Sequence, residues 1–537
     1  MKIKDVIKKN KTLVKFARAY RKRFGITKYS EEMNEFCRLN REIWKSRRVK
    51  GTDDGIVLVH FSTDFPGSFW PAMKRAEALR EKYGYKICAI LNGYFKNNNN
   101  IFRIIDSFCV DEVIYEDDQV KKQKNYLKEN TEQAFNQLIS EVDNIDDFVD
   151  WCLDDIKIGD LIYDAIVANH DIVTIDDFEL ILKEYKPDVI ELFNIFFFYR
   201  FLFSHMLVKS VVVSENTYAR AILVRMAVKN SLITVCASSY ACTEYNESNV
   251  YRTPFALINK ISKSELIERV STDPKLVNAS EQYFNDRLNG LNDAFCSKLS
   301  YVDKKILARP DLIQLLDINP EYNTVLVAPH CFSDCIHGVK HWVFRDYYEW
   351  LIYTLEVLKN VKGIDVLFKP HPYAIHYGKA EVDAFDSIVE KYDFIKVIPN
   401  ELSTTSVLAI TDVVLTACGT IALEAACLGI ESINVCEPYY GGYDLVKTIK
   451  DKVSYHNYLS TLNEERKEIS SNIMTLAKIV LYLVVNSEMD GNINLAEEPI
   501  RPGDDLDLLL KQQYNYLNCR IDDERNVIDD QYKRWLA

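Results

Sequence analysis

The sequence predicts an α/β protein with two doubly wound parallel sheets in tandem. Three observations carry that expectation. A length of 537 residues is too great for one ordinary core. Short β-branched runs alternate with helical patterns, the mark of βαβ units. The alternation restarts near residue 323, after a helical, connective stretch at about 260–318.

Each element follows in turn. "GIVLVHFSTDFPGSFWPAMKRAEALREKYGYKICAIL" (55–91) reads as a strand ending at His60, a loop holding Asp64, a helix, and the strand "KICAIL". Residues 111–190 are acidic and mostly helical, and "KPDVIELF" (186–193) reads as a further strand. "SVVVSENTYARAILVRMAVKNSLITVCAS" (210–238) repeats strand, loop, helix and strand. In the second half, "NTVLVAPHCFSD" (323–334) opens with a strand, followed by a helix at 346–360, a strand at 364–369 and a helix at 379–392. Strands at 394–398 and 413–417 and a helix at 420–428 complete the unit. The expected domains are a basic arm (1–50), a first α/β domain (51–318), a second (319–490) and a charged helical tail (491–537).

Composition narrows the function. The formal net charge is −13, so nucleic acid is not an expected partner. Yet residues 1–50 hold 17 Lys+Arg against 5 Asp+Glu. Within 1–25, Ile3, Val6, Ile7, Leu13, Ala17, Tyr20 and Phe24 share one helical face and basic residues fill the other. That pattern suits a helix lying on an anionic membrane surface. Thirteen cysteines without a C-x-x-C pair, and no early signal peptide, suggest reduced thiols and a cytoplasmic protein, peripheral on the inner face of the membrane. The most apolar stretch, 190–213, carries Glu191, Arg200, His205 and Lys209, against a membrane span.

Ligands of such sheets sit beyond the carboxyl ends of the strands, so the loops after strands are where chemistry is sought. In "TDVVLTACGTIALEAACLGI" (411–430), a strand runs into Gly419-Thr420 at a helix start. A glycine there lets a phosphate approach the backbone, and free amides and the helix dipole favour negative charge. Thr420 can cap the helix or bind phosphate, and Glu424 stands one turn in, suited to ribose hydroxyls. In "VLFKPHPYAIHYGK" (366–379), Lys369 and His371 end a strand, each followed by proline. The prolines stop the strand and fix both side chains, making them candidate cationic donors to a leaving phosphate. "APHCFSDCIHGVKHW" (328–342) offers Ser333, Asp334 and His337 as polar contacts to the same ligand. Its C-x3-C and H-x3-H spacings lack a second ligand pair, so no metal is expected there.

The pairing of Lys369 and His371 with Gly419, Thr420 and Glu424 resembles the C-terminal half of GT-B glycosyltransferases, above all the bacterial capsule polysaccharide biosynthesis proteins that include the capsule Kdo transferases. Those proteins show an H-P motif after one strand and a G-T/S-x-x-x-E helix after a later one. The resemblance covers about residues 320–445. It implies a GT-B fold of two Rossmann-like domains facing a cleft. It also implies a nucleotide-sugar donor on the C-terminal domain and a glycan or glycolipid acceptor on the N-terminal one. The expected function is sugar transfer to a growing capsule-type polysaccharide or lipid-linked acceptor, inverting and metal-independent, with no cofactor.

An inverting transferase needs a base for the acceptor hydroxyl. Asp64 is the first candidate, Glu215 the second and Asp160 the third; His371 joins Asp64 and Glu215 as a catalytic candidate. The one D-x-D near a helix boundary, Asp505-Leu506-Asp507, reads as helix N-terminal charge, not a metal site. Three alternatives remain: a CDP-glycerol-type glycerophosphotransferase, from which the absence of a Ser-Ser pair after Asp412 departs; a UDP-sugar 2-epimerase; and a non-catalytic glycan-assembly protein.

Overall fold

The computed structural model describes residues 31–45, 54–61, 69–91, 99–237, 242–254, 256, 261–291, 295–465 and 469–485. The basic arm over 1–25, Asp64, Asp505, Asp507 and the tail lie outside the described residues.

The first sheet begins after helix α1 (Glu31–Lys45). Its parallel strands are β1 (Ile56–Phe61), β2 (Lys86–Leu91) and β3 (Glu112–Tyr115), joined by α2 (Phe69–Tyr83) and α3 (Asn99–Ser107). A helical insertion follows, with α4 (Glu116–Lys122), α5 (Lys124–Glu141), α6 (Gly159–Asn169) and α7 (Lys186–His205). The chain then returns as β4 (Val208–Val213), α8 (Ala221–Lys229), β5 (Ile233–Ala237) and β6 (Cys242–Tyr245). Strand order is β3-β2-β1-β4-β5-β6, with only β6 antiparallel. Strand β1 is buried on both faces, so it reads as an apolar run rather than an alternation. Val57, Val59 and Phe61 pack into the α1–α3 layer, while Leu58 packs with the helical insertion.

Helices α9 (Lys263–Thr272), α10 (Pro274–Leu288) and α11 (Phe295–Tyr301) lead to the second sheet. Its elements are β7 (Asn323–Val327), α12 (Tyr347–Leu358), β8 (Ile364–Phe368), α13 (Lys379–Lys391), β9 (Ile395–Val397), β10 (Val413–Leu415), α14 (Thr420–Cys427), β11 (Glu431–Asn434) and β12 (Lys447–Thr448). The order β9-β8-β7-β10-β11-β12 repeats that of the first sheet. Val325 of β7 pairs with Val366 on one side and Val413 on the other. Both sheets thus reverse direction of winding beside their first strand, and a crevice opens there. This is the expected α/β architecture of two Rossmann-like sheets in the GT-B manner.

Two sequence expectations are corrected. Residues 186–193 are not a strand but the start of α7, opened by Pro187 in the first turn, with Val189, Leu192 and Phe193 buried and Lys186 and Glu191 exposed. A buried helix and a buried parallel strand share the same apolar signature, and length decides between them. The boundary near 318 also falls late: Leu266, Tyr283 and Phe284 already pack with Leu423, Ala426 and α15 (Ser471–Val485) of the second lobe.

Polar stitches join the lobes at the insertion. Asp164 on α6 receives the His337 backbone N–H at 3.1 Å and its ring Nδ1 at 2.6 Å. Tyr163 and Thr174 donate to Asp346, the latter at 2.6 Å. Tyr218 donates to the Ser333 carbonyl and accepts from the Cys335 N–H, both at 3.1 Å.

Candidate functional site

The crevice of the second sheet lies between the ends of β7 and β10. After β10 the chain turns through Thr416 and Cys418 into α14, whose N-cap is Gly419 in extended conformation with no side-chain cap. The first amides of a helix have no carbonyl to bond, so an uncapped start presents free donors. A Cβ on Gly419 would stand 2.8 Å from the Thr416 hydroxyl, a contact real side chains avoid, so the close turn needs glycine. That hydroxyl is buried and has no hydrogen-bond partner. Tyr440 donates to the Gly419 carbonyl at 2.7 Å and Tyr439 to the Thr420 hydroxyl at 3.3 Å, pinning the turn from behind.

Two histidines line the other side. The Cys418 N–H donates to His330 Nε2 at 3.2 Å, which requires that nitrogen to be unprotonated. Burial also disfavours charge on His330, while the Cys418 sulfur at 3.7 Å opposes both and pulls its pKa upward. The amide geometry describes the resting ring: neutral, with its proton on Nδ1. The His330 ring lies flat on Tyr347 at 4.6 Å and parallel to the His371 ring at 6.5 Å.

His371 accepts the Tyr373 N–H at Nδ1 (3.3 Å), where the Cys331 thiol also approaches to 3.1 Å. Its proton therefore sits on Nε2. Burial, followed by His330 and Lys369, depresses its pKa to about 3. The expected cationic donor is corrected to a neutral one: burial first, with the charge of Lys369 beside it, leaves no room for a second charge. Lys369 retains the charge. Its pKa falls to about 8, chiefly through burial and the nearby Lys304, with Glu424 acting the other way.

The remaining predicted groups divide. Glu424 is buried, with Oε1 receiving Arg287 (Nε at 2.9 Å, and Nη2) and Oε2 receiving Tyr301 at 2.7 Å. Both oxygens are engaged inside the lobe, so the ribose role expected of Glu424 is corrected to a structural ion pair. Ser333 is likewise spent: its N–H (2.8 Å) and hydroxyl (2.9 Å) both donate to Glu381. His337 is buried in the lobe contact, donating at Nδ1 to Asp164 and at Nε2 to the Arg345 carbonyl at 2.9 Å. It is a cationic clamp and not a ligand contact; burial opposes its charge, but Asp164 prevails and raises its pKa. Asp334 opens on solvent yet is crowded by protein, which raises its pKa against a hydrogen bond from Tyr377. Of the base candidates, Glu215 is ion-paired with Arg220, and Asp160 is buried against Arg225 at 2.6 and 2.9 Å. Among the described residues no three metal-ligating side chains converge. The histidines and cysteines of 330–341 point to separate partners.

No protein-family model and no curated protein matches the chain. Among solved structures, the chain is similar to a Thermosulfurimonas dismutans KpsC, a β-Kdo 2,4 transferase, at 17% identity over 51% of this chain and 79% of that one, with a TM-score of 0.31. It is similar to the UDP-GlcNAc 2-epimerase of Methanocaldococcus jannaschii at 11% identity over 80% and 99%, with a TM-score of 0.26. Anabaena Alr3699/HepE, in complex with UDP and glucose, matches at 10% identity over 80% and 95%, with a TM-score of 0.26. Likeness at this level says nothing about chemistry.

Sequence reasoning missed several members of the site. Thr416 and His330 stood in quoted stretches without a role. The pair Tyr439-Tyr440 before Gly441-Gly442 is a local signal, two aromatics ahead of two glycines just after a strand, that points to a shaped loop. Arg287 and Tyr301 carried no such signal, because they reach Glu424 from more than 120 residues away in sequence.

Proposed function

We propose that this chain is a GT-B-type glycosyltransferase that binds a nucleotide-sugar by its phosphate at the start of α14. The observation that carries the reading is the uncapped helix N-terminus at Gly419 beside the buried, unpartnered Thr416 hydroxyl, with Lys369 in electrostatic reach of Glu424 on the same helix. An anion satisfies all three: free amides, dipole and lysine favour it, and it offers Thr416 an acceptor. Departure of a nucleotide from a sugar places negative charge on that phosphate, where fixed donors act with no reorganisation. In this scheme Lys369 supplies charge, His371 a neutral Nε2–H, and Thr420 a hydroxyl. Asp334, open to the cleft, faces the sugar side. The acceptor is a capsule-type glycan or its lipid-linked precursor, the transfer is inverting, and the protein's own residues replace a metal. The basic 1–25 segment brings the enzyme to an anionic membrane where such acceptors reside.

The test is release of nucleotide from CMP-, UDP-, GDP- and dTDP-sugars with a glycolipid extract as acceptor and EDTA present. The expected result is turnover with one donor class, lost in Lys369→Ala. Conversion of a UDP-sugar to its 2-epimer without transfer would replace this reading with the epimerase one. No turnover of any donor would point to a binding protein.

A further inference from the structure

The first sheet has its own reversal point, between β1 and β4, and His60 stands there. It is the penultimate residue of β1, in register with Val213, the last residue of β4. Its ring is buried on the insertion side of the sheet. Nε2 lies 3.4 Å from Glu116 Oε1 at the start of α4 and 3.4 Å from the Tyr199 hydroxyl of α7. Tyr199 in turn donates to Glu116 at 2.7 Å. Burial works against charge on Glu116, but His60 and Tyr199 outweigh it and hold its pKa below the ordinary carboxylate value. Glu116 is therefore an anion that accepts the Nε2 proton. The other nitrogen, Nδ1, keeps its lone pair, and it is buried without any hydrogen-bond partner.

A carboxylate orienting one imidazole nitrogen while the other stands unengaged is the arrangement of a general base. A core histidine with a purely structural role has both nitrogens satisfied, as His337 does. The remaining charged groups near this cluster are Arg220, which faces Tyr199, and its partner Glu215.

The geometry points to His60 Nδ1 as the proton acceptor for the sugar acceptor's hydroxyl, with Glu116 and Tyr199 as positioning residues. The inference rests on the transferase reading above. In the step, the hydroxyl O–H bond breaks and its proton goes to Nδ1. The oxygen forms the new bond to the anomeric carbon, and the anomeric C–O bond to phosphate breaks, its electron pair leaving with the nucleotide. The imidazolium is stabilised by Glu116 and returns its proton to solvent. Neither Asp64 nor Glu215 is needed in this role.

The experiment measures nucleotide release against pH from 5 to 9, with melting temperature and nucleotide binding followed in parallel, for wild type, His60→Gln and Glu116→Gln. His60→Gln is expected to lower turnover by about 10²–10⁴-fold with nucleotide binding unchanged. Glu116→Gln is expected to lower it less, again with nucleotide binding unchanged, because the ring loses the carboxylate that orients it. Turnover within threefold of wild type in His60→Gln overturns the inference and leaves the transferase reading standing. If His60→Gln does not fold, turnover unchanged in Glu116→Gln overturns it instead. A wild type that binds no nucleotide overturns the transferase reading, and this inference with it.

Discussion

The two six-stranded sheets share one strand order but present different chemistry at their reversal points. In the second lobe the strand ends carry the uncapped start of α14, the charged Lys369 and two neutral histidines. In the first lobe the same topological position holds His60, Glu116 and Tyr199, a proton-handling set. Topology fixes where a site opens, and the residues after each strand fix what it does. A transferase needs both halves: one lobe to hold the leaving phosphate, the other to take the acceptor's proton.

The lobes also each bury an arginine–carboxylate pair beneath the crevice, Arg225–Asp160 in the first and Arg287–Glu424 in the second. Breaking either gives the largest effect. Arg287→Leu leaves Glu424 buried without its partner and is expected to cost about 3–5 kcal/mol of stability, read by urea denaturation. Arg225→Leu should cost about as much, again about 3–5 kcal/mol. If Glu424→Gln lost nucleotide binding while keeping full stability, the structural assignment of that pair would be wrong.

Next is Lys369→Ala. Loss of one charge-assisted contact to phosphate is expected to weaken nucleotide binding by about 1.5–3 kcal/mol with little change in melting temperature. The wild-type protein adds a pH signature. Phosphate needs the protonated lysine, whose pKa is about 8, so affinity is expected to hold below that value and fall as pH rises through it. An equal loss of affinity with pH in Lys369→Ala would remove this lysine from the site. Gly419→Ala sharpens the same point. Its Cβ meets Thr416 at 2.8 Å, and overpacking of this kind costs roughly 1–3 kcal/mol, with weaker nucleotide binding as the turn opens.

The smallest effect concerns the contact between the lobes. The folded-state pKa of His337 is raised by Asp164, so its contribution is fully present below the unfolded value near ~6.5 and is lost as pH rises through the folded one. The melting temperature is expected to decline over that window in wild type and to decline less in His337→Gln.

Much of the fold was legible because it rests on local pattern. The apolar runs at 56–61, 86–91, 208–213 and 323–327 became parallel strands, and the glycine before Thr420 became a helix start. The run at 186–193 was misread because it is short: Val189, Leu192 and Phe193 are buried, Lys186 and Glu191 are exposed, and so brief a stretch does not separate a helical period from a strand. At the candidate site, Lys369, His371, Gly419 and Thr420 were singled out from the sequence, and His330, which accepts the Cys418 N–H just before Gly419, lies 6.5 Å ring to ring from His371. The protonation of Lys369 and His371 was not legible, since it depends on His330 and Lys304, which chain order does not place beside them. Glu424 and His337 were misassigned for the same reason. A carboxylate one turn into a helix looks open until Arg287 arrives from another helix, and a histidine in a loop looks free until Asp164 arrives from another lobe.

The central claim is that the start of α14 holds the phosphate of a nucleotide. Titration calorimetry of CMP, CDP, UDP, GDP and dTDP into the wild-type protein and Lys369→Ala, at pH 7 in EDTA, tests it most directly. The account predicts binding of one nucleotide base, weakened roughly 10–150-fold in the variant. Binding that is unchanged in Lys369→Ala, or absent for all five in wild type, would contradict it.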